Sequence, residues 1–201
     1  MSPKQSDHIR LFIPGPVEVR AEILEAQSEW MIGHRSSAFA ELYARLQPKL
    51  QQSFYTSSPV YIYTSSGTGI WESASRCTVR EGRKILHLTC GAFSERWAEV
   101  SKLNGKQTDV LAVDWGQANK AEDLAEALRR SEYDAVAVVM NETSTGVRNP
   151  IEQYAEILAD YPDTLFLVDV VSSYMGEKIL VDEWGIDVCL TSTQKAFALP
   201  P

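Results

Sequence analysis

The sequence predicts an α/β domain, a mainly parallel sheet flanked by helices. Three observations carry that prediction. From residue 60 onward, short apolar runs alternate with stretches at helical spacing, which is the pattern of βαβ units. Several of those runs end in connections made of hydroxyl, glycine and amide residues, as expected where strands deliver side chains to the ligand-binding edge of an open sheet. Finally, 201 residues at 44% hydrophobic and 23% charged suffice for one large domain with a sizeable core.

In chain order, Leu11-Phe12-Ile13-Pro14-Gly15-Pro16 is an apolar stretch closed by turn formers, with Pro16 placed to precede a helix through Val19, Ile23 and Ala26. After Gly33-His34-Arg35, the residues Phe39, Leu42, Tyr43, Leu46 and Leu50 recur at the spacing of an amphipathic helix, with Ser36 or Ser37 as its cap. Strands are predicted over residues 60–63, 85–88, 110–113, 135–140, 165–168 and 188–190. Helices are predicted over 70–79, 93–103, 121–130 and 151–159. Ala121, Leu124, Ala125 and Leu128 form the clearest apolar stripe, and Glu122, Glu126 and Arg129 take its wet side. Residues 1–20 read as an N-terminal segment and 21–201 as the domain itself.

The formal net charge of -8 argues against a nucleic-acid or anionic-membrane binder, either of which needs a basic surface. Cys77, Cys90 and Cys189 sit in separate segments without CxxC or Cys/His spacing, so neither a disulfide framework nor a metal site is indicated. The polar start and the lack of any apolar run near the ~20 residues of a membrane span give a soluble, cytoplasmic protein as the expectation.

The chemistry-bearing residues follow the strands. Ser65-Ser66-Gly67-Thr68-Gly69 opens a helix, where backbone N–H groups and hydroxyls suit a phosphate, or simply make a capped turn; it has neither the Walker ending nor the dinucleotide spacing. Phe93, after Cys90-Gly91-Ala92, is either core or a platform for a flat ring. Asn141-Glu142-Thr143-Ser144-Thr145-Gly146 is unusually polar for a short connection. Asp169 closes an apolar strand, and a carboxylate buried there needs a partner, expected to be a cation; a structural arginine or a cap would serve as well as a pyridinium. Lys195 follows another apolar strand and precedes Ala196-Phe197-Ala198-Leu199, surroundings that would desolvate its amine and lower its pKa. Such a lysine can form a Schiff base with an aldehyde cofactor, and the aspartate can hold a pyridine nitrogen protonated, the pairing that pyridoxal phosphate requires.

Together, Ser66-Gly67-Thr68, Gly91-Ala92-Phe93, the stretch Asn141 to Val147, Val168-Asp169-Val170-Val171-Ser172-Ser173 and Ser192-Thr193-Gln194-Lys195-Ala196 resemble class V pyridoxal-phosphate aminotransferases. Within that class the sequence is most similar to the alanine–glyoxylate and serine–glyoxylate (serine–pyruvate) group. The resemblance implies a fold-type I large domain, the cofactor pyridoxal 5'-phosphate, a homodimer, and transfer of an amino group from alanine or serine to glyoxylate or pyruvate.

The resemblance also implies roles. Lys195 would carry the cofactor as an internal aldimine and shuttle a proton, and Asp169 would pair with the ring nitrogen. Ser66, Gly67, Thr68 and Gln194 would hold the phosphate, Phe93 and Val171 would pack on the two ring faces, and Thr143 would reach the ring hydroxyl. Gly33, His34 and Arg35 would lie near the site mouth and dimer interface, with a substrate role. A phosphoserine-type transaminase and a lyase or desulfurase are the alternatives within the cofactor class. Desulfurases look different at two positions, with histidines where this sequence has Phe93 and Gln194. A non-catalytic domain is the third reading. Members of the class are nearly twice as long, so the chain is expected to lack the rest of the large domain, the small C-terminal domain and the substrate-gripping arginine, and to transaminate poorly by itself.

Overall fold

The computed structural model describes residues 8–201; the first seven residues of the N-terminal segment lie outside the described residues. A short helix α1 (Ala21–Ala26) and a long helix α2 (Ser37–Phe54) come first. The chain then runs α3 (Gly67–Thr78), β1 (Lys84–Thr89), α4 (Ala92–Leu103), β2 (Gln107–Ala112), α5 (Ala121–Arg130) and β3 (Ala135–Val139). A two-stranded hairpin, β4 (Asn141–Glu142) with β5 (Val147–Arg148), precedes α6 (Ile151–Leu158), β6 (Leu165–Asp169) and β7 (Val188–Leu190).

Five strands form one parallel sheet in the order β2-β1-β3-β6-β7. Its register places Leu86, Val136 and Phe166 side by side, and alternate residues along each strand face opposite sides. One face packs Leu86, Val136, Val138, Phe166 and Val168 under Leu124 and Leu128 of α5 and Tyr154 of α6. The other packs Ile85, Ala135, Ala137 and Leu167 under Trp71 of α3 and Trp97 of α4. Both faces of the central strands are therefore covered, which is why they read as continuous apolar runs.

The predicted strand over 60–63 is not formed. It belongs to neither sheet, and Tyr61, Ile62 and Tyr63 are exposed. A strand exists only through its ladder, and no strand among the described residues lies alongside this one. Other differences are at ends: α3 starts at Gly67 rather than at residue 70, and β2 starts at Gln107 rather than at 110. The earlier start of α3 has a cause. Ser66 is its cap, its Oγ accepting the Gly69 N–H at 3.2 Å, so the Ser-Gly-Thr stretch lies in the first turn. Ser36, rather than Ser37, caps α2 through the Phe39 N–H. Among the described residues no helix is long and apolar enough to cross a membrane.

Candidate active site

Because the strands are parallel, the connections leaving β1, β3, β6 and β7 share one edge of the sheet. Asp169, the last residue of β6, is 2% exposed. Its Oδ1 accepts the Val171 N–H at 2.8 Å and its Oδ2 accepts the Trp71 indole N–H at 2.6 Å. Burial raises the carboxyl to about 6; the two hydrogen bonds and the Lys195 charge oppose the rise, and the Glu142 charge adds to it. Among the described residues the protein itself meets this carboxylate with two neutral donors and no cation in contact. Trp71 reaches the carboxylate because α3 lies over the sheet with its first turns at this edge.

Lys195 stands in the turn after β7 and is partly buried rather than enclosed. Its Nζ lies 6.0 Å from the centroid of the Phe93 ring. That ring is 42% exposed, so Phe93 is not a core residue despite opening a helix beneath the sheet edge. The N-terminal segment crosses the same place. Val17 N–H donates to the Gln194 carbonyl at 3.0 Å, and Gly15 is so close that a Cβ there would come within 2.5 Å of Lys195 Cδ.

Glu142 is fully buried beside them. Its carboxylate accepts N–H groups of Phe93 at 3.3 Å and Ser94 at 2.9 Å, the start of α4, and the Ser94 and Ser144 hydroxyls at 2.9 and 2.6 Å. Burial by itself would raise its pKa, yet these hydrogen bonds outweigh burial and hold it below the usual glutamate value. The partial positive charge of a helix N-terminus takes the place of a cation here. A Cβ on Gly91 would fall 2.6 Å from Glu142 Cγ, so only glycine lets the carboxylate this close to the helix start.

Thr143 Oγ1 and Ser172 Oγ form a hydrogen-bonded pair at 2.5 Å, joining the β4 turn to the segment after β6. Val171 is partly buried against the Trp71 cluster. At the α3 start, Ser66 and Thr68 are exposed, and a Cβ on Gly67 would meet nothing within 4 Å, which leaves open space above the helix N-terminus. Ser192 Oγ, two residues before Gln194, is buried without a hydrogen-bond partner among the described residues. A cavity of about 390 Å³ lies between Ile13, Pro14 and Val17 on one side and Thr143, Ser172 and Ala196 on the other.

The structure thus brings Phe93, Asp169, Val171, Gln194 and Lys195 together, with Thr143 and the Ser66-Gly67-Thr68 turn on adjoining elements of the same edge. Gly33, His34 and Arg35 are exposed in the turn before α2, and no hydrogen bond or ion pair among the described residues joins them to this group. Sequence reasoning missed Trp71, and quoted Gly15, Glu142 and Ser172 without a role. A tryptophan shortly after a Ser-Gly-Thr turn is a signal of a kind, since a buried indole N–H needs an acceptor. A larger cavity, about 900 Å³, opens at the opposite edge around Arg80, Arg83 and Asp134, but those three satisfy one another.

Comparison with known proteins bears on this arrangement. A sequence profile of the family described as Aminotransferase class-V matches residues 21–200. An uncharacterized aminotransferase of Methanocaldococcus jannaschii is 39% identical over 95% of this chain and 50% of its own length. The serine–glyoxylate aminotransferase of Arabidopsis thaliana is 37% identical over 94% of this chain and 49% of its own. The crystal structure of an alanine–glyoxylate aminotransferase from Nostoc sp. superposes with a TM-score of 0.91 at 30% identity, covering 100% of this chain and 53% of that one. The chain spans about half the length of the curated relatives it matches.

Proposed function

Since this chain belongs to the class-V aminotransferase family, we propose that it supplies the pyridoxal 5'-phosphate site of a transaminase that moves an amino group from alanine or serine to glyoxylate or pyruvate. The observation that carries the proposal is Asp169: a fully buried carboxylate held by two neutral N–H groups, with no cation in contact among the described residues. Such a group is suited to an incoming protonated ring nitrogen, which would supply the missing charge.

The other residues fit the same group. The space beside Gly67 is open and the Ser66 and Thr68 side chains are exposed there, so the start of α3, whose Gly69 N–H is bonded to Ser66 Oγ, would suit a phosphate dianion through its other N–H groups and these hydroxyls. Gln194 and the unpartnered Ser192 hydroxyl lie on the neighbouring strand end and would add donors. Phe93 and Val171 would pack against the two faces of a flat ring, and the Thr143 hydroxyl, paired with Ser172, would reach a ring oxygen. When bound, the cofactor would supply an aldehyde carbon and an electron-withdrawing ring. Asp169 would hold the proton at the ring nitrogen, and the Lys195 amine would take the proton from the substrate α-carbon and return it at C4′. The cavity beside Thr143 and Ala196 would admit a small substrate and exclude bulk water once filled.

Residues 21–201 are then part of a cofactor-binding large domain. The homodimer would form on the face carrying Trp30 and Met31, 95% and 97% exposed, with Gly33, His34 and Arg35 beside them at the site mouth. Phe93 and Gln194, in place of the two histidines of desulfurases, support amino transfer over sulfur release.

The proposal is tested by assaying the purified full-length protein with alanine or serine as donor and glyoxylate or pyruvate as acceptor. Formation of the matching oxo acid and amino acid is expected. Release of sulfide from cysteine without amino transfer would overturn it.

A further inference from the structure

Asp169 is the residue on which the proposed function turns, and what holds it is not a charge. Its Oδ2 is fixed by Trp71 Nε1–H at 2.6 Å across 98 residues of sequence, and its Oδ1 by the Val171 N–H only two residues away. The Val171 bond is local and comes with the turn. The Trp71 bond is tertiary and depends on where α3 sits on the sheet. Trp71 is itself 5% exposed, and its ring stacks on Trp97 with centroids 5.8 Å apart and planes 12° from parallel. Trp97 is wholly buried and is met edge-on by the His87 ring at 5.5 Å, so the indole has no freedom to swing. Below it, the Ser75 hydroxyl donates to the Trp71 carbonyl at 2.9 Å and pairs with Ser101, tying this turn of α3 to α4.

The indole N–H therefore occupies one fixed direction at Oδ2. A carboxylate offers about four lone-pair sites, and two are taken. Among the described residues no other protein donor takes the remaining ones.

We propose that Trp71 is a positioning residue for the cofactor: by clamping Oδ2 it keeps Asp169 ionised and aimed so that its free lone pairs meet the ring nitrogen of pyridoxal phosphate. This rests on the function proposed above. A hydrogen bond to a carboxylate is worth more than one between neutral groups, and it favours the charged form. Without it, Asp169 would be harder to ionise and free to rotate, and the ring nitrogen would lose a prepared partner.

The test measures binding rather than turnover. Dissociation constants of the purified protein are determined by absorbance titration for pyridoxal 5'-phosphate and for its 1-deaza analogue, in which carbon replaces the ring nitrogen. The comparison is between the natural residue and Trp71→Phe, which keeps an aromatic ring on Trp97 but removes the donor. The substitution is expected to weaken pyridoxal phosphate about tenfold and to leave the 1-deaza analogue unchanged. Equal weakening of both ligands would reduce Trp71 to a packing role and overturn the proposal, as would no weakening of either. If Trp71→Phe does not fold, a benzothienyl alanine at position 71, matching the indole in shape with sulfur in place of N–H, takes its place in the same comparison. Failure of the unsubstituted protein to bind pyridoxal phosphate would be a different result: it would overturn the proposed function itself, and this proposal with it.

Discussion

Gly15 lies against the side chain of Lys195 so closely that a Cβ would stand 2.5 Å from Cδ, 2.9 Å from Cε and 3.1 Å from the Gln194 carbonyl. Nothing in the spacing of the sequence joins these positions, yet the N-terminal segment forms a wall of the candidate site. Gly15→Ala is expected to leave the sheet intact, because Gly15 lies outside its elements, and to displace the Lys195 stem. A misplacement of about 1 Å at a reacting group can cost on the order of a hundredfold in rate. Stopped-flow absorbance on mixing with pyridoxal phosphate measures it: slowed development of the cofactor band is the expected result, and an unchanged rate would show that the contact is slack.

Asp169 gives the protein a pH signature in the absence of cofactor. Its folded-state pKa of about 6 lies above the unfolded value of about 3.9. The protonated form is thus favoured by folding, and that contribution is complete below about pH 4 and lost as pH rises through 6. Asp169→Asn mimics the neutral acid. Its stability relative to the natural protein is expected to rise between pH 4 and pH 7 by about 2 kcal/mol, most of the effect of a two-unit pKa difference. Urea unfolding of the cofactor-free proteins at the two pH values reads this, and a gap that does not change with pH would contradict it.

Glu142→Gln replaces one of the two accepting oxygens by an NH₂ group that faces N–H and O–H donors at the start of α4. A buried donor left without an acceptor costs about 1–3 kcal/mol, so a loss near 2 kcal/mol is expected. Hydrogen exchange locates the effect: the Phe93 and Ser94 amides, both bonded to Glu142, should exchange faster while those of β3 do not. Uniform protection across the domain would show that the carboxylate does not anchor the helix that carries Phe93.

Asp134 tests the opposite edge of the sheet. Its Oδ1 accepts Arg80 Nη2–H at 2.7 Å and Arg83 Nε–H at 2.9 Å, and Oδ2 accepts the Arg80 N–H and Nε–H, both at 2.9 Å. The Arg80 guanidinium, followed by Arg83, holds the carboxyl well below the usual aspartate range against burial. A depressed folded-state pKa means stability that is present above the unfolded value of about 4 and lost as pH falls below it. Asp134→Ala is expected to lower the melting temperature by about 5 °C at pH 7 and by less at pH 3, with cofactor affinity unchanged. A cofactor-binding defect in this variant would contradict the separation of the two edges.

The legible part of the fold was its centre. The strands β1, β3 and β6 are continuous apolar runs because both faces are covered, and the sequence showed them to within a residue or two. Residues 60–63 have the same apolar look without a ladder, and composition does not reveal whether a partner strand exists. Phe93, Asp169 and Lys195 could be singled out because Asp169 ends a strand and the other two follow one, and parallel strands carry such residues to one edge. Trp71 on Asp169, Gly15 on Lys195 and Glu142 on the α4 start could not, since each is a contact between distant segments fixed by packing. At Asp169 the need for a partner was readable from burial, but that the protein's own contacts would be two neutral N–H donors, one of them from Trp71, was not.

Lys195 is the residue we propose takes the cofactor. Incubating the protein with pyridoxal 5'-phosphate, reducing with borohydride and mapping the adduct by peptide mass spectrometry tests it directly. One phosphopyridoxyl group on the peptide containing Lys195, absent in Lys195→Ala, is the expected result. A stoichiometric adduct on a different lysine, or none at all with the folded protein at saturating cofactor, would contradict it.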